Sequence, residues 1–359
     1  MPLPRGSLPG SQPRAESREP SAHRFATVLV ILLAACAGGA SGAHAPARQG
    51  SRADAGPVAF ALIGDMQYSP AQEPDFARVM AALDSARLDF VVHIGDIQGG
   101  SQPCTDSLQR ARRDEFDRSR HPFVLLFGDN EWTDCHRGGF DPQERLRALR
   151  AVFAAGPESL GRRRIRLVRQ SDAPWATPYA EHVRWEAGGA LFVGLNIVGS
   201  NNNAGRNATA TRESVRRTAA AVEWLRESFR HVRARGLAGV VIAMQGDPGF
   251  RRQRLSTRWL GNVTGFDVLL RELGRLVVEF GKPVVLVHGD THTFIVDMPL
   301  SDSATGRVIP NFTRVEVFGA PDAHWVRGTV DARDPRVFRF EPMLVPGNLV
   351  VPRGTPSPR

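Results

Sequence analysis

Two mixed β-sheets packed face to face with helices outside them, an α/β architecture, is the fold this sequence predicts. Three observations lead there. In the first three hundred residues, short apolar runs alternate with amphipathic stretches of helical period, the signature of parallel βαβ units. Beyond that point the apolar runs continue without helical stretches between them, which adds antiparallel strands. Four of the runs also empty directly into glycine and aspartate, at Gly64-Asp65, Gly95-Asp96, Gly128-Asp129 and Gly289-Asp290. Parallel strands place their carboxyl ends on one edge, which is where open α/β sheets build their sites.

The elements follow in order. Val58 to Ile63 is a first strand, ending Gly64-Asp65-Met66-Gln67-Tyr68. Phe76 to Ala86 is helical, with Phe76, Val79, Met80 and Leu83 on one face. Leu88 to Ile94 is the second strand, and a charged helix runs from Thr105 to Arg118. Phe123 to Phe127 is a third strand, brief, aromatic and β-branched, running into Gly128-Asp129-Asn130-Glu131. Asp141-Pro142 opens a helix to Ala155, with Asp as cap and Pro at the first helical position. Residues 156–180 read as irregular. His182 to Glu186 and Ala190 to Val198 flank Gly188-Gly189 as a hairpin. Thr211 to Arg235 is a long helix whose apolar stripe is Val215, Ala219, Val222, Leu225 and Phe229. Leu237 to Met244 is a strand ending at Gln245, Phe266 to Phe280 a helix, and Pro283 to Val287 a strand ending His288-Gly289-Asp290-Thr291-His292. Runs at Phe312 to Phe318, Trp325 to Val330 and Val337 to Phe340 complete the strands.

The amino terminus reads as a targeting segment. A polar, Arg-containing stretch precedes the apolar run Phe25 to Ala35, which is too short to span a bilayer. Leu33-Ala34-Ala35-Cys36 resembles a bacterial lipobox, which would make residues 1–35 a signal peptide and Cys36 the lipidated first residue of a membrane-anchored lipoprotein. Ala43-His44-Ala45 offers a competing cleavage site for release as a soluble periplasmic protein. Residues 36–56 then form a flexible tether, residues 57–345 the globular domain and residues 346–359 a disordered tail. An exported chain leaves Cys104 and Cys135 free to pair as a disulfide between two of the Asp-bearing loops; two buried free thiols are the alternative.

The formal charge is +9. The densest basic run, Arg162-Arg163-Arg164 with Arg166 and Arg169, carries no interleaved aromatics, so no nucleic-acid partner is expected. Phosphate loops, dinucleotide turns and Ser-nucleophile elbows have no matching motif.

Asp65, Asp96, Asp129 and Asp290 therefore carry the chemistry. Converging carboxylates repel one another and shift toward the protonated form unless a cation is shared among them. Asp65-Met66-Gln67, Gly95-Asp96, Gly128-Asp129-Asn130-Glu131, Gln245 and Gly289-Asp290-Thr291-His292 occur in the order of the motifs D-x-H, G-D, G-N-H-E, a lone His and G-H-x-H. In this the chain resembles the calcineurin-like metallophosphoesterases. The resemblance covers residues 57 to about 330 and implies a four-layer αββα sandwich.

It further implies hydrolysis of a phosphate mono- or diester by a metal-activated water, on a phosphorylated small-molecule substrate. By family position the metal ligands are Asp65, Gln67, Asp96, Asp129, Gln245, Asp290 and His292, with Asp96 bridging two metals. Gln67, Gln245 and Asp290 stand where the family has His, and Asp129 stands where it has Asn. Asn130 stands at the His that steadies the leaving group. Every replaced ligand still offers an oxygen, so the shell suits Mg²⁺, Mn²⁺ or Ca²⁺, one or two per chain, better than Zn²⁺. Leaving-group protonation then falls to His136 or His288, or a good leaving group makes it unnecessary. A catalytically silent metal- or ligand-binding module on the same fold is the competing expectation.

Overall fold

The strands form two sheets that pack face to face across a shared apolar layer. The computed structural model describes residues 56–175, 177–250, 264–302 and 305–349. The expected signal peptide (residues 1–35), Cys36, the expected tether up to residue 55 and residues 350–359 lie outside these.

The first sheet has the order β12-β11-β1-β2-β3, built from β1 (Val58–Ile63), β2 (Phe90–His93), β3 (Phe123–Leu125), β11 (Trp325–Val330) and β12 (Phe338–Met343). The second has seven strands in the order β4-β5-β6-β7-β8-β10-β9: β4 (Val168–Arg169), β5 (Val183–Ala187), β6 (Ala190–Gly194), β7 (Gly239–Ala243), β8 (Val284–His288), β9 (Ile295–Asp297) and β10 (Phe312–Glu316). Within the sheets β1, β2 and β3 run parallel, as do β6, β7, β8 and β10; β11, β12, β4, β5 and β9 pair antiparallel. Both sheets are mixed, as expected.

Alternation along the strands fills the layers. Phe60 and Leu62 point between the sheets with Phe90, Val92, Phe192, Val241 and Val285. Ala61 and Ile63 point outward against Phe76, Val79 and Leu83 of α1 (Glu73–Ser85) and Phe116 of α2 (Asp106–Asp117). On the far side, Leu191, Val193, Val240 and Ile242 meet α4 (Ala208–Ala234) and α5 (Asp267–Phe280). At about 1.5–3 kcal/mol for each large apolar side chain taken from water, these three interfaces supply the main force that holds four layers together. A further helix, α3 (Pro142–Phe153), starts at the Asp141 cap, whose side chain accepts from Gln143 N.

Two expectations shift. The stripe expected on α4 holds at Val222, Leu225 and Phe229, which are buried, but not in the first turns, where Val215 is 64% exposed, Ala219 is exposed, and Glu213, Ser214, Arg217 and Thr218 are buried instead. Only the C-terminal half of α4 rests on the apolar sheet. Its first turns cover a polar loop, and Arg217 is completely buried because Glu213, Asn196 and Asn202 satisfy it there. The ordered chain also passes the expected boundary at residue 345. Pro346–Asn348 form a 3-10 turn, and Asn348 Nδ2 donates to Asp75 O at 3.0 Å and Ala323 O at 2.7 Å.

No helix among the described residues is long and apolar enough to cross a membrane. Much of the basic run is tied into the fold: Arg163 donates to Leu88 O and Arg120 O, Arg164 pairs with Asp117, and Arg169 with Asp172.

Candidate metal centre

The parallel strands β1, β2 and β8 each stop at a residue whose successor turns sharply. Asp65, Gln67, Asp96, Asp290 and His292 all have positive φ, between 54° and 74°. Backbone held in this region costs energy unless surrounding contacts enforce it, and it gathers at functional sites. Here it folds each chain back so that its carboxylate faces the others. Gly289 shows how close the approach is: a Cβ there would lie 1.9 Å from Asp65 Oδ2.

The four aspartates converge. Asp65 Oδ2 accepts from Asp290 N at 3.1 Å, and Asp96 Oδ1 accepts from Asn130 N at 3.1 Å. A Cβ on Gly199 would meet Asp290 Oδ1 at 2.5 Å and Asp129 Oδ2 at 2.8 Å. Glu131 clamps two of the loops, its Oε1 accepting from Gly128 N at 2.6 Å and Asp96 N at 3.2 Å. Burial and the neighbouring carboxylates push Asp65 and Asp96 well above the usual carboxylate range. Burial first, then Asp290 and Asp134, push Asp129 to about 7. Burial also raises Glu131 to about 7, and Asp290 rises for the same first cause. This is the electrostatics of negative groups gathered without enough counter-charge.

Two neutral donors bridge them. Gln245 Nε2 donates to Asp96 Oδ2 at 3.1 Å and reaches Asp65 Oδ1 and Asp290 Oδ1, each at 3.5 Å. Tyr68 Oη lies 3.1 Å from Asp96 Oδ2, 3.4 Å from Asp65 Oδ1 and 3.2 Å from His292 Nε2. Sequence reasoning missed Tyr68. Its position three residues after Asp65, on the same strand-end turn, was the available signal.

The donor atoms fit a hard divalent cation in part. His292 Nδ1 lies 2.6 Å from Ala320 O, and a proton held there leaves Nε2 free to face Asp65 and Asp96 as an acceptor. Asp65, Asp96 and His292 supply oxygen and imidazole donors of a kind that suits such a cation, with Asp129 and Asp290 beside them. Among the described residues, however, no group of three His, Cys, Asp or Glu side chains is placed so as to hold a metal ion.

The amides depart from the expectation that each presents an oxygen. Gln245 Oε1 accepts from Gly199 N at 2.6 Å, so its nitrogen, not its oxygen, faces the carboxylates. Gln67 turns its Nε2 to Glu115 Oε2 at 3.1 Å, while its Oε1 is buried with no hydrogen-bond partner among the described residues. Of the Gln67 and Gln245 amide oxygens, that of Gln67 is the one left without a partner among the described residues.

The proposed acid positions are occupied otherwise. Asn130 donates its Nδ2 to Gln98 O at 3.0 Å, so the amide is tied to the backbone. His136 is exposed, with Nδ1 2.8 Å from Thr133 O, and among the described residues no hydrogen bond joins it to the carboxylates. His288 is completely buried, and burial pushes it down to about 4. It is therefore a neutral imidazole near pH 7 and no proton donor, which corrects the expectation that it protonates the leaving group. Cys104 and Cys135 form a disulfide with Cα atoms 5.7 Å apart, joining the loop after Asp96 to the loop after Asp129.

Among curated proteins no significant match to the chain is found. Among solved structures, PhoD is similar with a TM-score of 0.51 at 14% identity, over 77% of this chain and 64% of that one, so the likeness spans a little under two thirds of PhoD. The sulfate thiohydrolase SoxB of Termus thermophilus has a TM-score of 0.37 at 13% identity, over 76% of this chain and 41% of that one. Vacuolar Protein Sorting 29 from Cryptosporidium parvum has 0.31 at 11% identity, over 80% and 96%. The PhoD likeness bears on the fold alone. The family described as calcineurin-like phosphoesterase, whose members generally bind divalent metals, matches residues 58–294. That span holds all four Gly-Asp strand ends, Gln245 and His292, and with well over half of its length matched the chain belongs to the calcineurin-like phosphoesterase family.

Proposed function

We propose that this protein is an exported metal-dependent phosphoesterase that hydrolyses a phosphate mono- or diester. The observation that carries the reading is the convergence of Asp65, Asp96, Asp129 and Asp290 with His292 at the strand ends, with neutral donors as their close side-chain partners. Asp65, Asp96 and His292 would hold the cation, with Asp129, Asp290 and the Gln67 oxygen within the same shell. When bound, a divalent cation supplies a water of lowered pKa and polarises a phosphoryl oxygen. Mg²⁺, Mn²⁺ and Ca²⁺ suit this set.

The chain's own residues do the rest. Ala320 O and the turn at Asp290 orient His292. Tyr68 Oη and Gln245 Nε2 donate to Asp96 and hold its carboxylate in place, and the partly buried Tyr68 lies on the side open to a phosphoryl group. Asn130 cannot donate a proton to a leaving oxygen, which favours esters with good leaving groups. Cleavage of an aryl phosphodiester in the presence of Mn²⁺, with little cleavage of an alkyl one, is the expected result. No bound metal and no turnover with Mg²⁺, Mn²⁺ or Ca²⁺ would sink the proposal.

A second reading has its own observation. Gln245 turns N–H groups, not oxygen, toward the carboxylates, which suits a silent ligand-binding module as well. Metal-dependent melting without turnover would select it, and Asp96→Asn should then abolish the thermal shift.

Export rests on the leader and on the Cys104–Cys135 bridge, since structural disulfides persist in oxidising compartments. Anchoring through Cys36 predicts lipid incorporation that Cys36→Ser removes, whereas cleavage after Ala45 predicts none.

A further inference from the structure

The Gln245 carboxamide stands where an ion shared by Asp65, Asp96 and Asp290 would have to be. We infer that the centre takes one cation rather than two, the second place being filled by this amide. The inference rests on the reading of the site as a metal centre.

Distance is the first reason. Gln245 Nε2 lies 3.1 Å from Asp96 Oδ2 and 3.5 Å from oxygens of both Asp65 and Asp290. Hard divalent cations bind oxygen at about 2.0–2.6 Å, so an ion among these three oxygens would collide with the nitrogen.

The amide cannot turn to offer oxygen instead. Its Oε1 accepts from Gly199 N at 2.6 Å, and reversing it would set N–H2 against N–H. Gly199 N is itself fixed. The four residues after it, Ser200 to Asn203, all have left-handed backbone with φ between 49° and 64°. L-residues seldom adopt that conformation in succession, and it persists only when held. Arg217 holds it, donating to Asn202 Oδ1 at 2.5 Å and Asn202 O at 3.2 Å, while Ser200 Oγ donates to Asp134 Oδ1 at 2.9 Å. Gln245 is completely buried, and its backbone N and O are bonded to Ile197 O and Gly289 N. Side chain and backbone are pinned at both ends.

The other side of the cluster is different. Tyr68, at Asp65, Asp96 and His292, is only partly buried. Its hydroxyl can swing aside, or present its own oxygen to an ion. The first position therefore remains open to a cation while the second is closed by an amide that cannot move.

Manganese titration of the full chain, freed of metal with EDTA, tests this. Stoichiometry by calorimetry, metal content after gel filtration and the electron paramagnetic resonance spectrum are the readouts. The expected result is one Mn²⁺ per chain with an uncoupled six-line spectrum. Gln245→Glu keeps the acceptor for Gly199 N–H and replaces N–H2 by oxygen, so it should bind two, with exchange coupling. Gln245→His serves the same purpose if the Glu variant folds poorly. Two ions on the wild type would overturn the inference and leave the metal-centre reading standing. None on a wild type of normal melting would overturn that reading, and the inference with it. One ion on the wild type and on both variants would overturn the role given to Gln245.

Discussion

Replacing Asp129 by asparagine should stabilise the metal-free protein at alkaline pH, although Asp129 belongs to the proposed centre. The side chain is 4% exposed, and burial, Asp290 and Asp134 raise it from 3.8 to about 7. In the unfolded chain the group loses its proton near 3.8, whereas the folded protein keeps it to about 7. Between these values the folded state binds more protons, so stability falls as pH rises and the full penalty is present above pH 7. At about 1.4 kcal/mol per pKa unit, the penalty is about 4 kcal/mol at pH 8, about 1.5 kcal/mol at pH 5, and nothing below the ordinary carboxylate value. The substituted amide keeps the shape of the carboxyl group and carries no charge. At roughly 2 °C per kcal/mol for a chain of this size, Asp129→Asn should raise Tm by about 8 °C at pH 8 in EDTA, and by about 3 °C at pH 5. Saturating Mn²⁺ should reverse the order, since the wild type gains the bound cation and the variant gains less from it. Thermal melts of the two proteins at both pH values, with and without Mn²⁺, make the comparison. Equal stabilisation at pH 5 and pH 8, or a lower Tm for the variant at pH 8 in EDTA, would refute the account of a charge-strained cluster.

Two further outcomes follow from the surroundings of the site. Arg217→Met leaves Glu213 buried beside Asn203 without its guanidinium partner, which should cost about 3–5 kcal/mol in a urea titration; a loss under 1 kcal/mol would show that the buried pair does not hold the left-handed turn. Converting Cys104 and Cys135 together to Ser opens a loop of sequence separation 31 and should cost about 4 kcal/mol, read as a lower urea midpoint matching that of the reduced wild type; an unchanged midpoint would show that the bridge constrains nothing the fold does not already constrain.

The layers were legible because they depend on short-range pattern. Phe60 and Leu62 against Ala61 and Ile63 announce a strand buried on both faces, and β1, β2, β3, β7 and β8 all appear near their expected bounds. The long helix was found, and its buried face was found in the C-terminal half at Val222, Leu225 and Phe229 but not in the first turns. Val215 looks like core in isolation, and only the polar loop at Asn202 explains why Arg217 is buried in its place.

By itself the sequence determined which residues could meet. Each Gly-Asp follows an apolar run and parallel strands share an edge, so Asp65, Asp96, Asp129 and Asp290 could converge; Asp290 joins the other three only because the second sheet packs its β8 end beside theirs. It offered Cys104 and Cys135 as a possible disulfide beside two buried free thiols, and the structure forms the bridge between loops that leave neighbouring strands. What only the tertiary structure decided was which atom of each side chain faces inward. A carboxamide carries a donor and an acceptor on one carbon, and composition cannot say which end meets a carboxylate. For Gln245 the answer came from Gly199 N–H, 46 residues away in sequence and held by a turn that Arg217 secures. Tyr68 entered the centre the same way, because a positive φ at Asp65 and Gln67 folds its ring back over Asp96. Backbone pattern is local and survives in sequence, whereas the orientation of a buried polar group is set by whatever distant partner satisfies it.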